Sequence, residues 1–185
     1  SISTFGENTS QLLQKYLKEL LANNPKGLIL DLRYNSGGYL TTAIEVISQF
    51  IPSGVVMYEQ EGDGTETSYE AIPGGLATEI PMVVLVNEGS ASASEITAGA
   101  IQDYNRAPLV GITTYGKGSV QNWIPLSDDQ GAVRITIARW LTPNHRQIHK
   151  VGLTPDYVVE ITEEDVAANK DPQLDKAIEL ILNGK

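Results

Sequence analysis

Apolar residues at Leu12, Leu13, Tyr16, Leu17, Leu20 and Leu21 recur at the spacing of one helix face. Asn8-Thr9-Ser10 supplies a cap for that helix and Asn23-Asn24-Pro25 a stop. The pattern then changes: Gly27-Leu28-Ile29-Leu30-Asp31-Leu32 is a short apolar run, as expected of a strand buried on both faces. Asn35-Ser36-Gly37-Gly38 reads as a loop, and helical spacing returns from Leu40 to Phe50. Strands are predicted at Val55–Tyr58, Pro81–Val86, Pro108–Ile112, Ser119–Pro125 and Val133–Trp140, with Ile2–Phe5 as the end of another. Glu61–Glu66 reads as a solvated hairpin tip. Further helices are predicted from Ser92 or its neighbour to about Asp103, and from about Pro172 to Leu182. Strands alternating with helices predict an α/β domain with a largely parallel sheet. No repeat or low-complexity tract interrupts the pattern.

Composition narrows the function classes. The chain has 185 residues and no linker-like stretch, so one domain is expected. Hydrophobic residues make up 41% and charged residues 19%, ordinary for a globular protein. The net charge of −10 argues against a nucleic acid or an anionic membrane as partner, since no basic patch offsets phosphate. There is no cysteine, which excludes disulfides, thiolate nucleophiles and thiolate metal sites. No apolar stretch approaches the roughly 18 residues of a membrane span, so membrane contact is not indicated. Ser1-Ile2-Ser3-Thr4-Phe5 has neither the basic nor the apolar region of a signal peptide, and the abrupt start reads as part of something larger.

The most informative stretch is Asn87-Glu88-Gly89-Ser90-Ala91-Ser92-Ala93-Ser94-Glu95, placed between an apolar strand and a helix. Ser92-Ala93-Ser94-Glu95 matches S-x-x-E, so Ser92 can simply cap the helix while Glu95 reaches back. The same geometry suits chemistry. A hydroxyl at a helix N-terminus sits beside unpaired N–H groups that can hold an oxyanion. The G-x-S-x-G elbow of the α/β-hydrolases is absent.

About 25 residues on, Lys117 lies between Gly116 and Gly118 in a segment, 113–120, with no other charge. It reads either as a surface hairpin lysine or as a general base. Burial disfavours an ammonium, and an amine freed of its proton can activate a serine without histidine. Lys117, Ser119 and Gln121 would share one strand face, which lets Gln121 orient the amine. Asp31-Leu32-Arg33-Tyr34-Asn35-Ser36-Gly37-Gly38 lies at the C-terminal end of a predicted buried strand, the edge where α/β sheets place ligands. Its paired glycines form either an ordinary turn or one wall of an oxyanion hole.

His145 and His149 are the only histidines. Their spacing matches the ends of H-E-x-x-H, but Arg146 stands where glutamate is needed, so no metal site is expected. A Ser-His hydrolase built on either histidine is a rival to the lysine reading. The acidic Glu61–Glu66 tip lacks EF-hand spacing.

Taken in order, Asp31–Gly38, Val86–Glu95, Gly116-Lys117-Gly118 with Gln121, Trp140-Leu141-Thr142-Pro143-Asn144 and Gly152-Leu153-Thr154-Pro155-Asp156 resemble the carboxyl-terminal processing (tail-specific) proteases over nearly the whole chain. The resemblance implies a crotonase- and Clp-protease-like α/β core of curled β-β-α units. It implies Ser92 as nucleophile, Lys117 as general base and Gln121 as the residue steadying it. It implies an oxyanion hole from the backbone N–H of Ala93 and of Gly37 or Gly38. No cofactor is implied. The implied partners are unfolded or tail-exposed proteins cut near the C-terminus, often in exported or envelope compartments, and an oligomer is compatible. Two departures stand out. Ser36 replaces the proline of the family's usual Asn-Pro-Gly-Gly, and residues 1–185 show no match to the helical region and PDZ domain that precede the family's core, so they are expected to correspond to a catalytic core. The alternative on the same fold is a catalytically inactive module that binds a peptide or a C-terminus.

Overall fold

The computed structural model describes residues 1–127 and 130–184. In chain order the elements are α1 (Thr9–Leu21), β1 (Leu28–Asp31), α2 (Leu40–Ile47), β2 (Val55–Glu61), β3 (Glu66–Glu70), β4 (Met82–Val86), α3 (Ala93–Asp103), β5 (Leu109–Gly111), β6 (Ser119–Pro125), β7 (Ala132–Leu141), β8 (Tyr157–Val158), α4 (Glu163–Ala167) and α5 (Pro172–Asn183).

The strands form two four-stranded sheets, ordered β1-β4-β5-β8 and β3-β2-β7-β6. The first is wholly parallel: Leu28 pairs with Met82, Val84 with Leu109 and Val110 with Tyr157. Helices cover both of its faces, which is why β4 reads as an unbroken apolar run. Val83 and Leu85 pack with Val110 against Ala177 and Leu180 of α5. Met82, Val84 and Val86 join the larger core with Ala43, Val46 and Ile47 of α2 and Ile96, Ala100 and Ile101 of α3.

The parallel sheet between helices bears out the α/β expectation, and beside it the second sheet is antiparallel in all its pairings. Connection length decides this. β2–β3 and β6–β7 are joined by loops too short for the crossover that parallel neighbours need. Ile2–Phe5 is not a named strand. Ile2 N donates to Asp31 O at 3.0 Å, and Phe5 forms a single parallel bridge with Gly38. β3, β8 and α4 were not predicted. β3 is a polar edge strand, Glu-Thr-Ser-Tyr-Glu, whose residues are nearly all exposed, so no apolar alternation betrays it.

The Asp31–Arg33 pair of the first loop fastens the fold rather than opening a site. Arg33 bonds Asp31 Oδ2 at 2.8 Å and Asp171 Oδ2 at 2.9 Å, tying the end of β1 to the cap of α5. The bond to Asp31 raises the guanidinium above its ordinary value, against the opposing effect of burial.

Candidate active site

The strand-to-helix turn after β4 sorts three serines that look alike in sequence. Ser90 is fully buried; its Oγ donates to Leu32 O at 2.8 Å and accepts from Asn87 N at 3.0 Å. Ser94 is also fully buried and donates to Asn35 O at 2.7 Å. Both hydroxyls bind the turn to the Asp31–Gly38 loop. Ser92 differs. It is only partly buried, and it caps α3 with φ 55° and ψ −116°, a left-handed backbone that side chains rarely adopt. Its capping box is firm on the carboxylate side, where Ser92 N donates to Glu95 Oε2 at 3.0 Å; the Ser92 side chain stands over the Glu95 N–H in the reciprocal arrangement without a regular cap bond.

Ser92 lines a cleft of about 270 Å3. Ser92, Lys117, Gln121 and Gly38 line it together, with Leu40, Met57, Ile96, Val120 and Trp140 as an apolar surround. Ser119 and Arg134 complete the wall. Ser92 comes from the parallel sheet through β4 and α3. Lys117, Ser119 and Gln121 come from the antiparallel sheet at the entrance to β6. A register shift between Val120 and Gln121 breaks the strict alternation of β6.

Gly37 and Gly38 form the opposite lip. A Cβ on Gly37 would lie 2.8 Å from Ser92 Cβ and 3.0 Å from Ala93 N, so only glycine lets this loop approach the serine so closely. The two N–H groups have different fates. Gly37 N donates to Asn35 Oδ1 at 2.9 Å. Gly38 N, like Ala93 N at the first turn of α3, has no acceptor among the described residues.

The side chains stand apart in this state. No hydrogen bond links Ser92 Oγ to Lys117 Nζ, and Gln121 Nε2 faces Thr136 Oγ1 at 3.4 Å rather than the amine. The lysine backbone is held more firmly. Lys117 N donates to Glu95 Oε2 at 2.9 Å, and Trp140 Nε1 donates to Lys117 O at 2.9 Å. Glu95, Thr114 and Trp140 are contributors that sequence reasoning did not assign to the site. The S-x-x-E spacing flagged Glu95 only as a cap.

Neither histidine lines the cleft. His145 Nε2 contacts Glu66 Oε2 at 3.2 Å and its ring stacks on Tyr58. His149 is half-buried, with an unpartnered Nδ1 behind Gly118. Among the described residues, no group of three acidic, histidine or cysteine side chains could hold a metal ion, and no helix is long and apolar enough to cross a membrane. A larger cavity, about 780 Å3, lies beneath α1 and shares no residue with the Ser92 cleft.

Comparison with known proteins places this geometry in context. The model of peptidase family S41 matches residues 1–159. A carboxyl-terminal-processing protease of Synechocystis is 41% identical over 99% of this chain and 43% of its own length. Carboxyl-terminal-processing peptidase 2, chloroplastic, of Arabidopsis thaliana is 42% identical over 84% of this chain and 30% of its own. The solved structure of a photosystem II D1 C-terminal processing protease superposes with a TM-score of 0.82 at 36% identity, over 86% of this chain and 41% of that one. The chain thus spans less than half the length of these relatives. The α/β core, with its parallel sheet between helices, is that of the S41 proteases.

Proposed function

This chain belongs to peptidase family S41, and we propose on that premise that it is the core of a serine endopeptidase cutting proteins near their C-terminus by a Ser-Lys mechanism. Lys117, as the free amine, takes the proton of Ser92 Oγ. The oxygen attacks the scissile carbonyl carbon, and the N–H groups of Ala93 and Gly38 donate to the resulting oxyanion. The Lys117 ammonium then protonates the departing amine, leaving an acyl-enzyme. Water, activated by the same amine, hydrolyses the ester and restores Ser92. Gln121 steadies Lys117 from β6. The observation that carries this reading is a single cleft lined by Ser92, Lys117 and Gly38, with the unspent backbone N–H of Gly38 in its lining and that of Ala93 next to Ser92 in the chain. Substrates with an unfolded, exposed tail suit it, as does the exported or envelope setting implied by the resemblance.

Ser92→Ala and Lys117→Ala are each expected to lower kcat of the intact enzyme on an unfolded tail peptide by about a thousandfold or more. Fragment release measured by mass spectrometry checks this, and full activity in either variant refutes the assignment. One observation favours a second reading, a peptide-binding module that does not cut. Proton transfer needs about 2.6–3.2 Å between the partners, and Ser92 and Lys117 are not hydrogen-bonded here. Under that reading the same peptide binds and emerges whole.

A further inference from the structure

The carboxylate of Glu95 is fully buried, and no cation pairs with it among the described ion pairs. A charge in that position persists only when hydrogen bonds replace its lost hydration. Here four do. Oε1 accepts from Thr114 Oγ1 at 2.5 Å and from Gly116 N at 2.7 Å. Oε2 accepts from Lys117 N at 2.9 Å and from Ser92 N at 3.0 Å. The first turn of α3 adds its positive dipole end. One oxygen atom therefore bridges the backbone of the serine turn and the backbone of the lysine loop, which come from different sheets. The lysine loop is braced from behind as well. Leu153 N donates to Thr114 Oγ1 at 2.8 Å, which leaves that hydroxyl's own proton for Glu95.

We propose that Glu95 is a positioning residue of the catalytic unit, whose Oε2 fixes the Lys117 backbone against that of Ser92 and so aligns amine with hydroxyl. The proposal rests on the Ser-Lys reading. A carboxylate suits the task because it only accepts. An amide cannot replace it, since its NH2 would face either the N–H pair of Ser92 and Lys117 or the donors Thr114 and Gly116. Thr114 completes the device by orienting the carboxylate. Neither residue lines the cleft, so neither is expected to touch substrate.

The test uses the intact enzyme, a quenched-fluorescence tail peptide and four variants: Glu95→Gln, Thr114→Val, Thr114→Ser and Lys117→Ala. Far-UV circular dichroism supplies the folded fraction to which each rate is normalised. Glu95→Gln is expected to lower kcat about a hundredfold while KM stays within about threefold, the mark of misplaced catalytic groups rather than a damaged binding surface. Thr114→Val, which keeps the volume but removes the hydroxyl, is expected to lower kcat in the same manner. Thr114→Ser, which keeps the hydroxyl, is expected to restore it. Should Glu95→Gln fail to fold, the contrast between the two Thr114 variants decides. Parent kcat per folded molecule in Glu95→Gln or in Thr114→Val, beside an inactive Lys117→Ala, overturns this proposal alone. A Lys117→Ala enzyme that still cuts overturns it together with the Ser-Lys reading.

Discussion

At the scale of single residues, neighbouring side chains of one type carry different duties. Ser90 and Ser94 are buried and bonded to the glycine loop, whereas Ser92 opens on the cleft. Ser90→Ala leaves Asn87 N without its acceptor, while Leu32 O keeps only the longer bond from Asn35 N at 3.3 Å, an expected cost of about 1–3 kcal/mol. Denaturant unfolding should register that loss, while kcat per folded molecule stays near the parent value. Gly38→Ala is expected to do harm of another kind. Its φ is +148°, and a Cβ there would fall 2.3 Å from Phe5 O, a backbone atom that cannot swing aside. The loop must shift, which moves the proposed oxyanion donor, so kcat is expected to fall together with stability.

At the scale of elements, apolar patterning made the framework legible and polar patterning hid the remainder. α1, β1, α2, β4 and α3 follow the predicted spans to within a few residues; β1, α2, β4 and α3 each bury a stripe or run, whereas in α1 Leu17 is buried and Leu12, Tyr16 and Leu20 of the predicted face stay exposed. β3 stayed hidden because a polar edge strand has no buried face, and α4 because it buries none of its residues. The site was legible to the extent that local chemistry marks it: the serine turn, the lone lysine and the paired glycines. The joining of these parts was not, since contacts such as Gly37 against Ala93 or Glu95 against Gly116 depend on tertiary packing. Capping gives α4 a pH dependence. The backbone N–H and then the hydroxyl of Thr162 donate to Asp165 and hold its carboxyl below the ordinary value. A folded-state value lowered in this way stabilises α4 fully above the unfolded value and is lost as pH falls through the folded one. An NMR titration into acid should therefore find α4 amide shifts tracking Asp165 at a midpoint below that of an unfolded reference peptide. A midpoint at the reference value contradicts the cap.

At the scale of the whole molecule, the proposed catalytic groups divide between a sheet enclosed by helices and a hairpin that stands in solvent. In the first, β4 and β5 are buried along their whole length, whereas Ala132–Ile137 of β7 are exposed. Local opening follows burial, so hydrogen exchange at residues 132–137 is expected to outpace exchange at 82–86, and equal protection would contradict the burial pattern. The backbone of Ser92 imposes a thermodynamic consequence on this architecture. Holding a non-glycine residue at φ 55° and ψ −116° costs roughly 1–3 kcal/mol. The fold tolerates that deficit only because surrounding contacts outweigh it, so reactivity at this one Cα is set against resistance to heat. Ser92→Gly is accordingly expected to melt above Ser92→Ala, although both are inert toward peptide, and calorimetry on the pair measures what the nucleophile subtracts from the endurance of the native state.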